Sequence, residues 1–184
     1  MLHDVRVAGA LEAVLLRPTS AVVAEVRRFD GALIDLDRSD LALLPVTLRL
    51  RRPLGDAGAS AHRVPGFHVL TRSLAAWTAT LSDMTPVAYV HLEFYAGVGF
   101  HAAIAWDRGK VVWGPSFTCN HPSERDMYYH LASPEDMAIN GVLRWFGIRQ
   151  GTAVDEFEAV GLARFRWTYE WEAAAARPPG HRQP

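Results

Sequence analysis

Three side chains in the stretch HLEFYAGVGFHAAIAW, residues 91–106, are of the types that metal chemistry requires. His91, Glu93 and His101 offer two imidazoles and one carboxylate, the ligand set of a non-haem iron or catalytic zinc centre. A small metal-dependent enzyme built on these residues is therefore one reading. The other takes the same positions, with Tyr89 and Tyr95, as the polar face of a β-hairpin that meets a protein partner. A Glu–His pair facing across two strands contributes only ~0.2–1 kcal/mol. Established metal sites sit in a rigid enclosing shell, which a three-stranded meander alone does not supply. The polar-face reading is the favoured one, with no cofactor expected.

Other candidates carry less. In TCNHPSE, Cys119 stands two residues from His121, but a thiolate nucleophile needs a base and an orienting group, usually brought from distant segments. His130 precedes a helix start, where an anion would be welcome, yet Glu135 and Asp136 already occupy that positive end. The glycines of AGVGF follow a strand but lead into another strand, without the helix and lysine of a phosphate loop. Two short helices before RFRWTYEW have the outline of a winged helix-turn-helix. The second carries Asp155, Glu156 and Glu158, the wrong sign for a phosphate backbone.

The elements that must position these residues are legible in the second half. Leu70, Leu74, Trp77 and Leu81 recur at helical spacing. In VAYVHLEFY, Ala88, Val90, Leu92 and Phe94 alternate with Tyr89, His91, Glu93 and Tyr95, the period of a half-buried strand. FHAAIAW and KVVWGP, joined at Asp107–Gly109, complete an antiparallel meander. A two-residue loop at Gly97–Val98 would pair Phe94 with His101 and mix the faces. An odd loop centred on Gly97 pairs Phe94 with Phe100, Leu92 with Ala102 and Val90 with Ile104, and places Glu93 opposite His101 with His91 on the same face. That second register is expected. Ser133, Pro134 and Asp136 then punctuate a helix start and Gly147 its stop, with Ile139, Val142, Leu143 and Phe146 on the core face. Thr152, Asp155 and Gly161 repeat the scheme. Phe165, Trp167, Tyr169 and Trp171 alternate as a closing aromatic strand.

The first half is less legible. Phe29 is the only aromatic residue before Phe67. Residues 1–52 form a segment whose structure the pattern leaves open. AVVAEVRRF reads as helix or strand, while GALIDLD and VTLRLRR read as strands, the latter ending in solvated Arg51 and Arg52. The segment either adds strands to the core sheet or folds beside it, and its composition is also that of a translated upstream stretch. Residues 53–66, PLGDAGASAHRVPG, read as a linker or long loop, residues 67–171 as an α+β core domain, and residues 172–184 as a disordered tail.

Composition narrows the function. A formal net charge of −1 argues against a bulk grip on nucleic acid or anionic membranes. A single cysteine excludes an intrachain disulfide and a cysteine-rich zinc site. The start lacks the pattern of a signal peptide, and no run reaches the ~18 apolar residues of a membrane span, so a cytoplasmic protein is expected.

The stretch VAYVHLEFYAGVGFHAAIAW…VVWGP, followed by INGVLRWFGI and DEFEAVGLARFRWTYEW, resembles a group of small uncharacterised bacterial, mostly actinobacterial, proteins. The resemblance spans residues 70–171 and brings no functional residue with it. Its architecture is similar in outline to immunity proteins that neutralise toxins, an analogy of fold alone. The expected fold is α+β: an antiparallel meander with helices on one face and a C-terminal aromatic strand. The expected function is a non-enzymatic protein-binding domain, in its narrower form an immunity-type or toxin-neutralising partner protein, using Tyr89, His91, Glu93, Tyr95 and His101. The alternatives are the metal-dependent enzyme of His91, Glu93 and His101, or an assembly subunit, with the oligomeric state open.

Overall fold

A computed structural model describes residues 8–56 and 62–176. Residues 57–61 of the expected linker and 177–184 of the expected tail lie outside the described residues. In chain order the elements are β1 (Ala8–Leu16), α1 (Ser20–Arg28), β2 (Ile34–Asp35), β3 (Ala42–Pro45), α2 (Leu48–Arg51), α3 (Arg72–Leu81), β4 (Val87–Tyr95), β5 (Val98–Asp107), β6 (Lys110–Cys119), β7 (His130–Leu131), α4 (Ala138–Trp145), α5 (Glu156–Ala159) and α6 (Thr168–Ala175). The fold is α+β. Its strands form one sheet of order β2-β3-β1-β4-β5-β6-β7, antiparallel except for the short β6–β7 pair. The meander of β4, β5 and β6 is as the sequence predicts. The N-terminal segment adds strands to the same sheet: β1 lies between β3 and β4 and pairs with β4 along its whole length.

Helices cover both faces of the sheet, not one as expected. On the first face Val14, Leu16, Tyr89, Phe100, Ile104, Trp106 and Phe117 pack under α1, α2 and α3 through Val22, Val26, Leu50, Leu74, Trp77 and Leu81. On the second, Leu11, Ala13, Leu15, Val90, Leu92 and Ala103 pack under α4 and α6 through Ile139, Val142, Leu143 and Trp171. The physical reason is β1, whose Leu11, Ala13 and Leu15 are as buried as Val14 and Leu16. A central strand apolar on both sides requires two layers of cover.

Two predicted strands are helices. VTLRLRR winds into α2, so that Val46 and Leu50 are buried while Leu48 points to solvent. RFRWTYEW makes one parallel bridge, Ala10 to Trp167, then enters α6, which buries Trp171 and leaves Tyr169 62% exposed. In each, apolar residues two apart suggest a strand, but the helix buries one of them, Leu50 or Trp171, and turns the residue two before it, Leu48 or Tyr169, to solvent. The alanines after Glu172, read as tail, continue α6 through Ala175 and supply its propensity.

Caps hold the other helices. Thr19 and Thr71 accept the Val22 and Leu74 amides, and Asp155, rather than Thr152, accepts the Glu158 amide at α5. Ser133 and Pro134 open a single 3₁₀ turn, and α4 proper starts at Ala138. Among the described residues no helix is long and apolar enough to cross a membrane.

Candidate functional site

The β4–β5 hairpin decides where the expected site residues go. Its closing pair is Tyr95–Val98, and the loop is Ala96–Gly97, both left-handed with φ of 51° and 81°. This is the two-residue turn whose twist matches the flanking strands. Phe94 therefore pairs with Gly99, Leu92 with His101 and His91 with Ala102, one residue away from the predicted register. With both faces buried, apolar alternation no longer selects between registers, and close packing around Phe94 does. Phe94 is flanked by Gly9 on β1 and Gly99 on β5; a Cβ on Gly9 would lie 2.5 Å from the Phe94 ring.

The one-residue slip turns His101 over. His91 and Glu93 face the α3 side, and His101 faces α4 and α5, its ring 6.3 Å from that of Phe157. The three side chains of the set His91, Glu93 and His101 therefore do not share one face of the sheet. Among the described residues no group of three or more His, Cys, Asp or Glu side chains is placed to hold a metal ion. Burial depresses the His101 imidazole to about 4, against a smaller opposing pull from Asp155.

The polar-face reading also needs correction. Tyr89 is fully buried and His91 is 3% exposed, because α3 and the loop before it cover this side of β4. Of the five candidate partner residues, Glu93 and Tyr95 present substantially exposed side chains. Cys119 faces the core beside Phe100, with its thiol pushed up by burial. His121 instead takes the Ser123 amide through Nδ1 at 3.2 Å, so the two form no dyad.

Two buried clusters escaped the sequence reading. In the first, Arg51 is not solvated. Its Nη2 donates to Glu12 Oε1 at 2.5 Å and to Val69 O at 3.0 Å, and its Nη1 donates to Asp56 Oδ2 at 2.5 Å. Tyr89 donates to Glu12 Oε1 at 2.7 Å, and Thr71 to Asp56 Oδ2 at 2.5 Å. Burial raises the Glu12 carboxyl above its usual range, with Arg51 and Tyr89 pulling the other way. Burial also disfavours the Arg51 charge, but Glu12 and Asp56 outweigh it and hold the guanidinium more firmly charged. The signal was Glu12 itself, one charge inside the apolar run AGALEAVLL. This network ties β1, α2, β4 and the start of α3 together, and its charges face one another.

The second cluster is aromatic. His68 packs 4.5 Å from Phe100 and 5.0 Å from Tyr129 between ring centroids, and His91 packs 5.4 Å from Phe100. His91 Nε2 lies 3.2 Å from Glu93 Oε1, and this hydrogen bond is the main reason the Glu93 carboxyl sits below its usual range. Burial raises the Tyr129 hydroxyl.

Next to this cluster the sheet opens. Trp167, Ala10, Glu93 and Phe100 stand in one row across the end of the sheet, from the bridge at β1 to β5. They line a cleft of about 290 Å³ completed by Tyr95, beside the hairpin turn, and by Glu124, just beyond β6. Among the described residues no lysine or arginine lines it. The sequence reading had two of these residues, Glu93 and Tyr95. It missed Phe100, Glu124 and Trp167, because only the register and the Ala10–Trp167 bridge bring them together. Set against protein-family models, curated proteins and solved structures, the chain matches none of them.

Proposed function

We propose that the chain is a non-enzymatic protein-binding domain whose partner docks at the cleft between Trp167 and Glu124. The observation that carries this reading is the row across the sheet end. With Glu124 beyond β6 it places the Trp167 ring and two carboxylates around a concave, solvent-open place over buried Phe100, next to the hairpin tip that holds Tyr95. Interface anchors are typically aromatic side chains set in such depressions. The two buried clusters have their polar groups turned inward, which suits a scaffold for the cleft rather than a reaction centre. The cleft's carboxylates have the wrong sign for a nucleic-acid backbone or an anionic membrane surface. Strand addition at β6 is a weaker route to a partner, because Lys110, Pro115 and two register shifts interrupt that edge.

The test is affinity capture of the tagged chain from its own cells, run beside a Tyr95→Ala/Trp167→Ala variant with an unchanged circular dichroism spectrum. The expected result is one protein recovered in near-stoichiometric amount by the native chain and lost from the variant. Equal recovery by both, or recovery of the chain alone, contradicts the reading.

A further inference from the structure

We infer that the hollow between the β2–β3 turn and the loop from α4 to α5 binds a phosphate group, free or as the monoester of a small molecule. Arg38, Arg149 and the backbone of residues 150–152 hold it. This site lies apart from the docking cleft and stands or falls independently of it.

The hollow has a volume of about 430 Å³, within the range that holds a small molecule, and Ile148, Ala159 and buried Val160 give it an apolar side. None of Ala8, Asp56, His62 and Ala176, where the described residues end, borders it. Two guanidinium groups do. Arg149 is held in place, because its Nη1 donates to Ile148 O at 2.9 Å and to Arg144 O at 3.4 Å. Its Nε and Nη2 keep no acceptor among the described residues. Arg38 forms no hydrogen bond or ion pair with another described residue. The amides of Arg149, Gln150, Gly151 and Thr152 likewise bond no described acceptor, and Thr152 adds a hydroxyl. A carboxylate, with two oxygens and one charge, would leave most of these donors unused. A phosphate monoester brings three acceptor oxygens and a charge of about −1.5 to −2, and guanidinium forks bond its oxygens in pairs. The carbonyl end of α4 would oppose an anion, but Arg149 and Arg17 cover it at Arg144 O and Phe146 O. Asp37 and Glu158, in the adjoining hollow, are engaged elsewhere, with Arg164 at 3.4 Å and with the Val154 amide at 2.7 Å.

The experiment is a titration of the full chain in a phosphate-free buffer at neutral pH and low salt, followed by the amide resonances of Gln150, Gly151 and Thr152. The probes are inorganic phosphate, glycerol 3-phosphate, acetate and glycerol. The expected result is saturable binding of a phosphate probe, millimolar or tighter, that moves those three resonances. Acetate should bind at least tenfold more weakly, and glycerol should move nothing. Tighter binding of glycerol 3-phosphate assigns the monoester, and equal or tighter binding of inorganic phosphate assigns the free ion; either supports the site. Arg38→Gln should weaken the phosphate probe at least fivefold. That side chain bonds no other described residue, so the fold is kept. Arg28→Gln, on α1 across the sheet, should leave binding unchanged and guards against a general effect of net charge. Resonances that do not move, movement without saturation, equal binding of acetate, or equal losses from the two arginine variants would each overturn the inference.

Discussion

Replacing Arg51 by methionine removes the cation that bridges two buried carboxylates. The Arg51 side chain is 11% exposed, Glu12 is nearly as buried, and the Asp56 side chain is fully buried. Methionine keeps most of the apolar stem, so the loss is electrostatic. Leaving one partner of a buried ion pair uncompensated costs about 3–5 kcal/mol. At ~2–4 °C per kcal/mol for a chain of this size, the melting point should fall by roughly 6–20 °C. The loss should depend on pH with a definite sign. Burial already raises the Glu12 carboxyl, and without Arg51 it rises further. A carboxyl whose folded pKa lies above its unfolded value binds a proton that the unfolded chain releases. The penalty is therefore smallest below the ordinary glutamate range, about 4.3, and grows until pH passes the raised value. Urea unfolding of both proteins, followed by tryptophan fluorescence at pH 5 and pH 8, should show the larger difference at pH 8. Adding Glu12→Gln to Arg51→Met should recover part of the loss there. A difference under about 1 kcal/mol, or one equal at the two pH values, would refute the reasoning.

Other expectations concern the hairpin and the α4 side. Ala96 holds a left-handed φ at the first turn position, so Ala96→Gly should stabilise the fold by about 0.5–1 kcal/mol in urea unfolding, where a right-handed Ala96 would give a loss. Gly99→Ala should destabilise it by about 1–3 kcal/mol, because the new methyl would strike the Glu93 carbonyl and the Phe94 Cβ. Asn140→Ala should cost about 2–4 kcal/mol, since buried Asn140 donates to Pro134 O and Asp155 Oδ2 and accepts from the Phe157 amide. His101 should remain neutral to near pH 4 in a histidine-resolved NMR titration. Its folded pKa is depressed, so its contribution is full above the unfolded value of about 6.5 and is lost, by up to about 3 kcal/mol, as pH falls towards 4. A His101 that titrates near 6.5 contradicts its placement under α4 and α5.

The sequence shows most where one face is apolar and the ends are punctuated. The helix through Leu74, Trp77 and Leu81, the three meander strands and the glycine stop at Gly147 could all be read from spacing. It shows least where spacing has two solutions. Val46, Leu48 and Leu50, like Trp167, Tyr169 and Trp171, fit a strand by period two and a helix by period four. The choice depends on tertiary demands outside the segment: Arg51 must meet Glu12 and Asp56, and Trp171 must reach the second core. The hairpin register failed for a related reason. Alternation fixes register only when one face is solvated, and here the row from Gly9 through Phe94 to Gly99 decides instead. Of the candidate site, Glu93 and Tyr95 were legible as polar positions near a hairpin tip. Phe100, Glu124 and Trp167 join them through long-range pairing, which local pattern does not encode.

Hydrogen–deuterium exchange on the captured complex, compared with the free chain, tests the docking site most directly. The expected result is slowed exchange confined to the peptides that carry residues 8–10, 93–100, 124 and 167, the borders of the cleft. Slowed exchange confined to the β6 edge at residues 110–116, or to residues 127–131 around exposed Met127, Tyr128 and Leu131, would place the partner elsewhere and contradict the account.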